Sequence, residues 1–157
     1  MGSRSELLVQ VHLVRSAKGG WQHLVLRRRQ DDAELPSLWQ VVTGRPKPDE
    51  SPFEAAQREL AEETGLTAIE WWSLPLSVSF YDMRLQSLVF VAAFGAVVAP
   101  GAEPQLTEHC TYRWLRPTAA GAIVAVPAHQ QGVAAFDYLL TEQHRMPQLR
   151  QLYCIVA

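Results

Sequence analysis

Three glutamates, Glu59, Glu62 and Glu63, carry the clearest chemical signal in the sequence. Their spacings of three and four residues bring carboxylates to one face of a helix. Like charges four residues apart destabilise a helix by about 0.2–0.5 kcal/mol, and the C-terminal end of a helix disfavours anions further. A bound divalent cation would relieve this repulsion. The alternative is a solvated acidic face without a ligand.

The oxygen donors of this segment restrict the kind of cation that would bind there. Residues 44–66 contain no Cys and no His. Hard ions such as Mg²⁺ and Mn²⁺ prefer oxygen ligands and keep waters or substrate phosphates as their remaining ligands. We therefore expect Mg²⁺ at the glutamates, with Mn²⁺ as the alternative.

The helix that positions the glutamates has clear ends in the sequence. Ser51 is a favourable N-cap, Pro52 occupies the first helical position, and Glu54 completes a capping box. Gly65 supplies the left-handed residue that ends a helix. This pattern predicts a helix over residues 52–64. Its core-facing stripe would consist of Phe53, Ala56 and Leu60, while Ala55 would lie within the acidic stripe.

The glutamates belong to a longer pattern that resembles a known signature. Gly44, Glu50 and the run RELAEETGL from Arg58 to Leu66 match every fixed position of the Nudix box, the signature of the Nudix hydrolases. The resemblance implies an α/β/α sandwich fold. It also implies that Glu59, Glu62, Glu63 and the Gly44 carbonyl bind metal, while Glu50 and Arg58 orient the cluster.

The resemblance also implies an activity, namely hydrolysis of a nucleoside diphosphate that is linked to another group. Water would attack one phosphorus, and a carboxylate would accept the water proton. Glu63 is one candidate for this base, and Glu108 in a later loop is the other. The alternative for Glu108 is an ordinary loop charge, and the neighbouring His109 is more typical of a packing or hydrogen-bonding residue.

Six residues outside the glutamate cluster are candidates for binding substrate. Arg28 lies in an Arg27–Arg29 run, and a guanidinium matches phosphate geometry. Arg45 and Lys47 lie in a proline-stiffened loop, where many relatives have glycines instead. Trp39 and the pair Phe80-Tyr81 could stack on a base. The alternatives are a solvated charge cluster for the arginines and core packing for Trp39.

Substrate class remains open between several alternatives at this level. Residues 38–44 and Glu108-His109 with Trp114 resemble the branch that acts on (d)NTPs and dihydroneopterin triphosphate. Tyr81 lies near the position of a tyrosine in diadenosine polyphosphate hydrolases, and a nucleotide sugar such as ADP-ribose is a further alternative. A catalytically silent module that binds a nucleotide or a partner is less favoured, because all glutamates of the box are present.

Composition supports one globular domain over residues 1–157. The chain is 48% hydrophobic with a net charge of −2, so no surface for nucleic acid or an anionic membrane is indicated. The longest apolar run, residues 88–99, is too short to span a membrane. Only two cysteines are present, and no secretion signal is apparent, which predicts a cytoplasmic protein.

Apolar patterns predict the elements around the helix. Strands are expected over residues 7–14, 21–26, 38–42, 70–74, 76–80, 88–98 and 112–115, with the first two forming an antiparallel hairpin. Short helices are expected from Pro117 and over residues 130–140. The order predicts an α+β fold with a mixed sheet packed between helices. Residues 1–5 are expected to be flexible, and the tail 143–157 would either dock on its own domain or form a homodimer contact.

Overall fold

The computed structural model describes residues 4–155, which form one nine-stranded mixed sheet and four helices. The strands are β1 (Arg4–Ala17), β2 (Gly20–Arg28), β3 (Trp39–Gln40), β4 (Val42–Gly44), β5 (Glu70–Ser73), β6 (Val78–Asp82), β7 (Ser87–Val98), β8 (His109–Leu115) and β9 (Cys154–Ile155). The helices are α1 (Pro52–Thr64), α2 (Pro117–Ile123), α3 (Pro127–Glu142) and α4 (Gln148–Tyr153). The predicted α+β class is confirmed. None of these helices has the length and apolar character needed to cross a membrane.

Two long strands form the centre of the sheet. β1 and β7 run parallel from the pair Arg4 and Ser87 to the pair Arg15 and Val98. The strand order is β3-β2-β1-β7-β5-β9, while β4 pairs with β1, β6 with β7 and β8 with β2. β1 and β2 form the predicted antiparallel hairpin, and its turn contains Gly19 at a φ of 87°.

Alternation along the strands sends apolar side chains to opposite faces of the sheet. One face packs on α1 through Val9, Val11, Leu13, Leu24, Leu26, Phe94 and Ala96. The other face packs on α3 through Val14, Trp72, Ala93 and Val97, and on α2 through Val25. Residues that are adjacent in sequence, such as Leu13 and Val14, therefore belong to different hydrophobic clusters. Helices cover both faces, which gives the α/β/α sandwich implied by the resemblance.

The helix α1 begins and ends where the sequence predicts. The Ser51 hydroxyl accepts a hydrogen bond of 3.1 Å from the Glu54 backbone N–H, and Gly65 ends the helix at a φ of 68°. Ala56 and Leu60 are buried as expected. Ala55 differs from the prediction because it is fully buried against the sheet. The side of α1 that carries part of the acidic stripe therefore faces the protein interior.

Two segments differ from the sequence prediction in more than their bounds, and the tail docks on its own domain, which was one of its two predicted alternatives. The segment 38–42 forms two short strands rather than one, and they pair with different neighbours, β3 with β2 and β4 with β1. Arg4 and Ser5, which we expected to be flexible, are paired with Ser87 and Leu88; residues 1–3 lie outside the described part. The tail contains α4 and β9, and β9 pairs with β5 of the same chain. The final two residues, 156 and 157, also lie outside the described part.

Candidate active site

Arg58 is the centre of the acidic cluster on α1. Its Nη1 donates to Glu59 Oε1 at 2.7 Å and to Glu62 Oε2 at 3.1 Å. Its Nε and Nη2 donate to the two carboxylate oxygens of Glu50, both at 2.8 Å. The Arg45 carbonyl accepts a further bond of 3.0 Å from Nη2. Arg58 thus holds three carboxylates, two on α1 and that of Glu50 in the preceding loop.

These contacts change the acidity of the groups involved. The hydrogen bonds from Arg58 lower the pKa of Glu50 to about 2. The same contacts, led by those with Glu50, raise the pKa of Arg58. Burial raises the pKa of Glu59 despite its contact with Arg58. The Glu62 side chain is the most solvent-accessible of the three helix glutamates, at 55% exposure.

Glu63 is the buried member of the cluster, with a residue exposure of 3%. Burial, followed by the charges of Glu59 and Glu108, raises the pKa of Glu63 to about 9. The backbone N–H of Thr43 donates to its carboxylate. Its Oε2 is buried and has no hydrogen-bond partner. A buried oxygen without a hydrogen bond lowers the stability of the folded protein unless a ligand contacts it.

Gly44 brings the backbone of β4 against the Glu59 side chain. A Cβ atom at this position would overlap the Glu59 carboxyl group. Only a glycine permits so close an approach between strand and helix. β4 is held in this position by its pairing with β1, in which Gly44 lies opposite Val9.

The residues fit a hard divalent cation on three observations. The donors are all oxygens, Glu63 Oε2 is buried without a partner, and the Gly44 backbone lies against Glu59. As the side chains stand, no three His, Cys, Asp or Glu residues within residues 4–155 converge on one point as a metal site requires. Arg58 pairs with one oxygen of Glu59 and one oxygen of Glu62. Neither of these hydrogen bonds uses the second oxygen of its carboxylate, and the roles of both residues as metal ligands stay predictions.

Glu108 lies near the cluster although it is distant in sequence. It is exposed, in the loop that precedes β8. Its charge contributes to the raised pKa values of Glu59 and Glu63. The structure thus brings both candidate bases to one site.

His109 has a closer relation to the site than its sequence context suggested. The residue is buried, and its Nε2 lies 2.9 Å from Gln40 Nε2. Its Nδ1 lies 4.0 Å from Glu63 Oε1. Burial lowers the pKa of His109 to about 4. Gln40 in turn contacts Arg28, whose Nη1 donates to Gln40 Oε1 at 3.5 Å.

A cavity of about 430 Å³ opens beside the cluster and shares Gly44 with it. Arg28, Gln40, Thr43 and Arg45 also line this cavity. The remaining lining includes Leu8, Gln10, Leu35, Phe80, Asp82, Val91, Val126, Ala128 and His129. A cavity of this size, largely apolar with a few polar groups, is typical of a small-molecule site.

Three predicted substrate residues lie elsewhere. Trp39 packs on the α2 side of the sheet beside Val25 and Val41. Tyr81 is half exposed, and its hydroxyl donates to Gln86 at 2.9 Å. Lys47 lines a shallow pocket next to Glu50 rather than the cavity. Their substrate roles remain untested predictions.

Several cavity residues were not singled out by the sequence. Gln10 and His129 are both buried, and the Gln10 side chain donates to the Ala128 carbonyl at 2.9 Å. Gln10 was detectable in principle, as a polar residue between Val9 and Val11 in β1. Of the predicted pair Phe80-Tyr81, Phe80 lines the cavity and Tyr81 does not. Alternation along β6 places the two side chains on opposite faces of the strand. Which face meets the cavity depends on the pairing of β6 with β7, which the sequence pattern does not specify.

Comparison with known proteins places this site in a family. A family model described as NUDIX domain matches residues 8–136. A structure described as a NUDIX hydrolase from Listeria monocytogenes is similar with a TM-score of 0.76 and 22% identity, over 87% of this chain and 95% of that chain. The Escherichia coli dihydroneopterin triphosphate pyrophosphohydrolase matches with a TM-score of 0.68 and 24% identity, over 86% and 98%. The Caenorhabditis elegans Ap4A hydrolase matches with a TM-score of 0.72 and 19% identity, over 87% and 98%.

One curated relative is also similar in sequence. An octanoyltransferase from Myxococcus xanthus is 39% identical over 95 residues, which are 59% of this chain and 26% of that protein. The chain therefore matches only about a quarter of this relative, whereas the solved structures share the fold. The residues that the family model matches make up most of the chain, and they include the complete glutamate motif. The chain belongs to the Nudix family.

Proposed function

We propose that this protein hydrolyses a (d)NTP-like nucleotide to the monophosphate and pyrophosphate with the help of Mg²⁺. Nudix hydrolases generally use divalent metal ions. One observation carries the proposal: the cavity and the acidic cluster meet at Gly44. A nucleoside in the cavity would therefore direct its phosphates toward Glu59, Glu62 and Glu63.

The chain supplies the groups that this reaction needs. In hydrolysis, a water oxygen bonds to one phosphorus while the bridging P–O bond breaks, and a carboxylate accepts the water proton. A bound divalent ion would neutralise phosphate oxygens and lower the pKa of water. Glu108 is accessible to water, while Glu63 is buried beside the cluster. We keep both as candidates for the base.

Cationic and aromatic side chains suit the nucleotide. Arg28 and Arg45 line the cavity and can pair with phosphate oxygens. Lys47 lies two residues after Arg45 in the loop before α1, and both line the shallow pocket next to Glu50. Phe80 is the aromatic residue of the cavity lining, so stacking on a base is assigned to Phe80 before Tyr81.

A dinucleoside polyphosphate is the second candidate substrate. Phe80 and Tyr81 are both partly exposed on β6 and could contact two bases. A nucleotide sugar such as ADP-ribose would use the same phosphate chemistry. Acyl transfer is not proposed from the octanoyltransferase, because the match covers only 26% of that protein. The proposed setting is the cytoplasm, where Mg²⁺ and nucleotides are available.

A substrate panel tests the proposal. The protein would be incubated with each dNTP and NTP, dihydroneopterin triphosphate, Ap4A and ADP-ribose, in Mg²⁺ or Mn²⁺, with products separated by chromatography. We expect the highest kcat/KM for a triphosphate, with the monophosphate and pyrophosphate as products. Preference for Ap4A or ADP-ribose would support the second candidate. No hydrolysis of any compound with either ion would overturn the enzymatic proposal.

The substitution Glu62→Gln tests the proposed metal site. It removes one carboxylate charge from an exposed side chain, so the fold should persist while turnover falls. We expect turnover to fall by at least about 10–100-fold, which is the loss typical when a residue that hydrogen-bonds to a metal ligand is removed. Glu54→Gln, an exposed glutamate in the first turn of the same helix, is the control and should keep its activity. Full activity of Glu62→Gln, or of the wild type in excess EDTA, would contradict the assignment.

A further inference from the structure

We propose that His109 is a positioning residue for Glu63, and that Arg28 and Gln40 fix the nitrogen of His109 that carries the proton. The proposal rests on the proposed function in that Glu63 is taken to act in the reaction. It adds a directed chain of contacts from a cavity residue to the buried Glu63 carboxyl group, in which the last contact is 4.0 Å long. The direction follows from which groups can only donate or only accept.

The first step concerns the orientation of the Gln40 amide. A guanidinium has N–H donors and no acceptor. Arg28 Nη1 lies 3.5 Å from the oxygen of Gln40, so this oxygen must be the acceptor. Turning the amide over would place its NH₂ group against another donor. The NH₂ group of Gln40 is therefore directed away from Arg28.

The second step concerns the tautomer of His109. Gln40 Nε2 lies 2.9 Å from His109 Nε2, and both atoms are buried. An amide NH₂ can only donate, so the imidazole must accept with Nε2. An accepting Nε2 carries no proton. The ring is then neutral and carries its proton on Nδ1.

The third step concerns Glu63. His109 Nδ1 lies 4.0 Å from Glu63 Oε1, and both side chains are almost fully buried. His109 Nδ1 has no hydrogen-bond partner, and neither has Glu63 Oε2. A shift of about 1 Å would bring the Nδ1 proton into hydrogen-bond range of an oxygen of the Glu63 carboxyl group. No other tautomer could donate there.

The placement of these residues in the sheet explains why the chain of contacts forms. Gln40 on β3 pairs with Leu26, and His109 on β8 pairs with Arg28. Both of these strands therefore pair with β2, which brings Gln40 and His109 to the same part of the sheet. Asp32 accepts from Arg28 Nη2 at 2.7 Å and holds the guanidinium in place. Arg28 and Gln40 both line the cavity. Occupation of the cavity can therefore act on Glu63 through these contacts.

The tautomer can be measured without activity. In ¹⁵N-labelled wild type in EDTA, two-bond correlations should identify His109 as protonated on Nδ1 and unprotonated on Nε2. Gln40→Leu removes the donor, so the Nε2-protonated form should become populated. A wild-type His109 protonated on Nε2, or on both nitrogens at neutral pH, would overturn the proposal. This result is independent of whether any nucleotide is hydrolysed.

The effect on Glu63 is tested by two substitutions at position 109. His109→Leu removes the donor, whereas His109→Asn keeps an N–H near the Nδ1 position. We expect His109→Leu to weaken Mn²⁺ binding by calorimetry and to lower kcat, each by about 10–100-fold with little change in KM. His109→Asn should recover most of both losses. Equal losses in the two variants at unchanged melting temperature would mean a packing role only and would overturn the proposal.

Discussion

At the scale of single residues, Arg58 acts as the internal counter-ion of the acidic cluster. Its guanidinium contacts Glu50, Glu59 and Glu62 at 2.7–3.1 Å. The contact with Glu50 uses two parallel hydrogen bonds and is geometrically specific, whereas Glu59 and Glu62 share one nitrogen. The two helix glutamates are therefore the ones that a cation can most readily recruit, while Glu50 keeps Arg58 in place.

Glu63 makes stability and function oppose each other. Because the folded-state pKa of about 9 lies above the ordinary value of 4.5, ionisation of Glu63 destabilises the folded protein. This cost is absent below the ordinary pKa and grows as the pH rises toward the folded-state pKa. In EDTA, Glu63→Gln should therefore have a higher melting temperature than the wild type. The increase should be about 2–4 °C for each 1 kcal/mol gained in the free energy of unfolding.

Thermal melts at several pH values check this prediction. The difference between Glu63→Gln and wild type should widen between pH 5 and pH 8. Adding Mg²⁺ should raise the melting temperature of the wild type, through preferential binding to the folded state, but not that of Glu63→Gln. Glu54→Gln serves as the control and should follow the wild type. A lower melting temperature for Glu63→Gln at pH 8 would contradict the expectation.

The loop before α1 offers a separate prediction on substrate affinity. Arg45 is 55% exposed and pairs loosely with Glu6 at 3.6 Å, so its charge remains available to phosphates. The double substitution Arg45→Ala and Lys47→Ala should raise KM more than it lowers kcat. Steady-state kinetics on the preferred nucleotide measure both constants. An unchanged KM would remove these residues from substrate binding.

Residue types in the cluster were predictable, but some contacts were not. Helical spacing alone places Glu59, Glu62 and Glu63 together and puts Arg58 beside them. The approach of His109 to Glu63 depends on the pairing of β8 with β2, which no local pattern specifies. The same is true of Gln40, which enters the site because residues 39–40 form a strand of their own.

At the scale of elements, the contact between β4 and α1 defines the site. α1 could be predicted to the residue because its caps are local signals, and Ser51 and Gly65 act as expected. β4 is only three residues long and could not be separated from β3 by pattern. Its identity as a distinct strand arises from antiparallel pairing with β1.

Gly44→Ala tests the β4–α1 contact. The added Cβ would overlap the Glu59 carboxyl group, so the strand or the glutamate must move. We expect metal affinity by calorimetry and kcat to fall by at least about 10-fold, because the proposed ligands would be displaced. Gly101→Ala is a matched control, since nothing lies within 4 Å of a Cβ built there. Wild-type metal affinity in Gly44→Ala would refute this role.

At the scale of the whole molecule, the C-terminal tail packs on its own domain. β9 pairs with β5 through Cys154 and Ile155. Arg150 on α4 donates to both carboxylate oxygens of Glu70, at 3.2 and 2.8 Å. Its guanidinium also lies 5.4 Å from the centre of the Trp72 ring. The tail lacked a readable period because these contacts, rather than an apolar stripe, determine its position.

Arg150→Ala should lower the melting temperature. Loss of the two-fold contact with Glu70 and of the contact with Trp72 should cost about 1 kcal/mol in the free energy of unfolding, since both groups are partly exposed. This corresponds to a decrease of about 2–4 °C. Arg145→Ala is the control, because Arg145 is 70% exposed and its ion pair is with Glu142 of the neighbouring turn. Equal melting temperatures for the two variants would contradict the prediction.

The parallel pairing of β1 with β7 has a consequence for folding. The first strand of the chain gains its longest partner only when residues 87–98 are available. Until then the hairpin with β2 leaves one edge of β1 unpaired and apolar, an arrangement prone to intermolecular pairing. Contacts between distant parts of a chain slow folding. During synthesis, the central sheet therefore cannot close until β7 has emerged from the ribosome, and chains truncated before residue 98 should aggregate rather than fold.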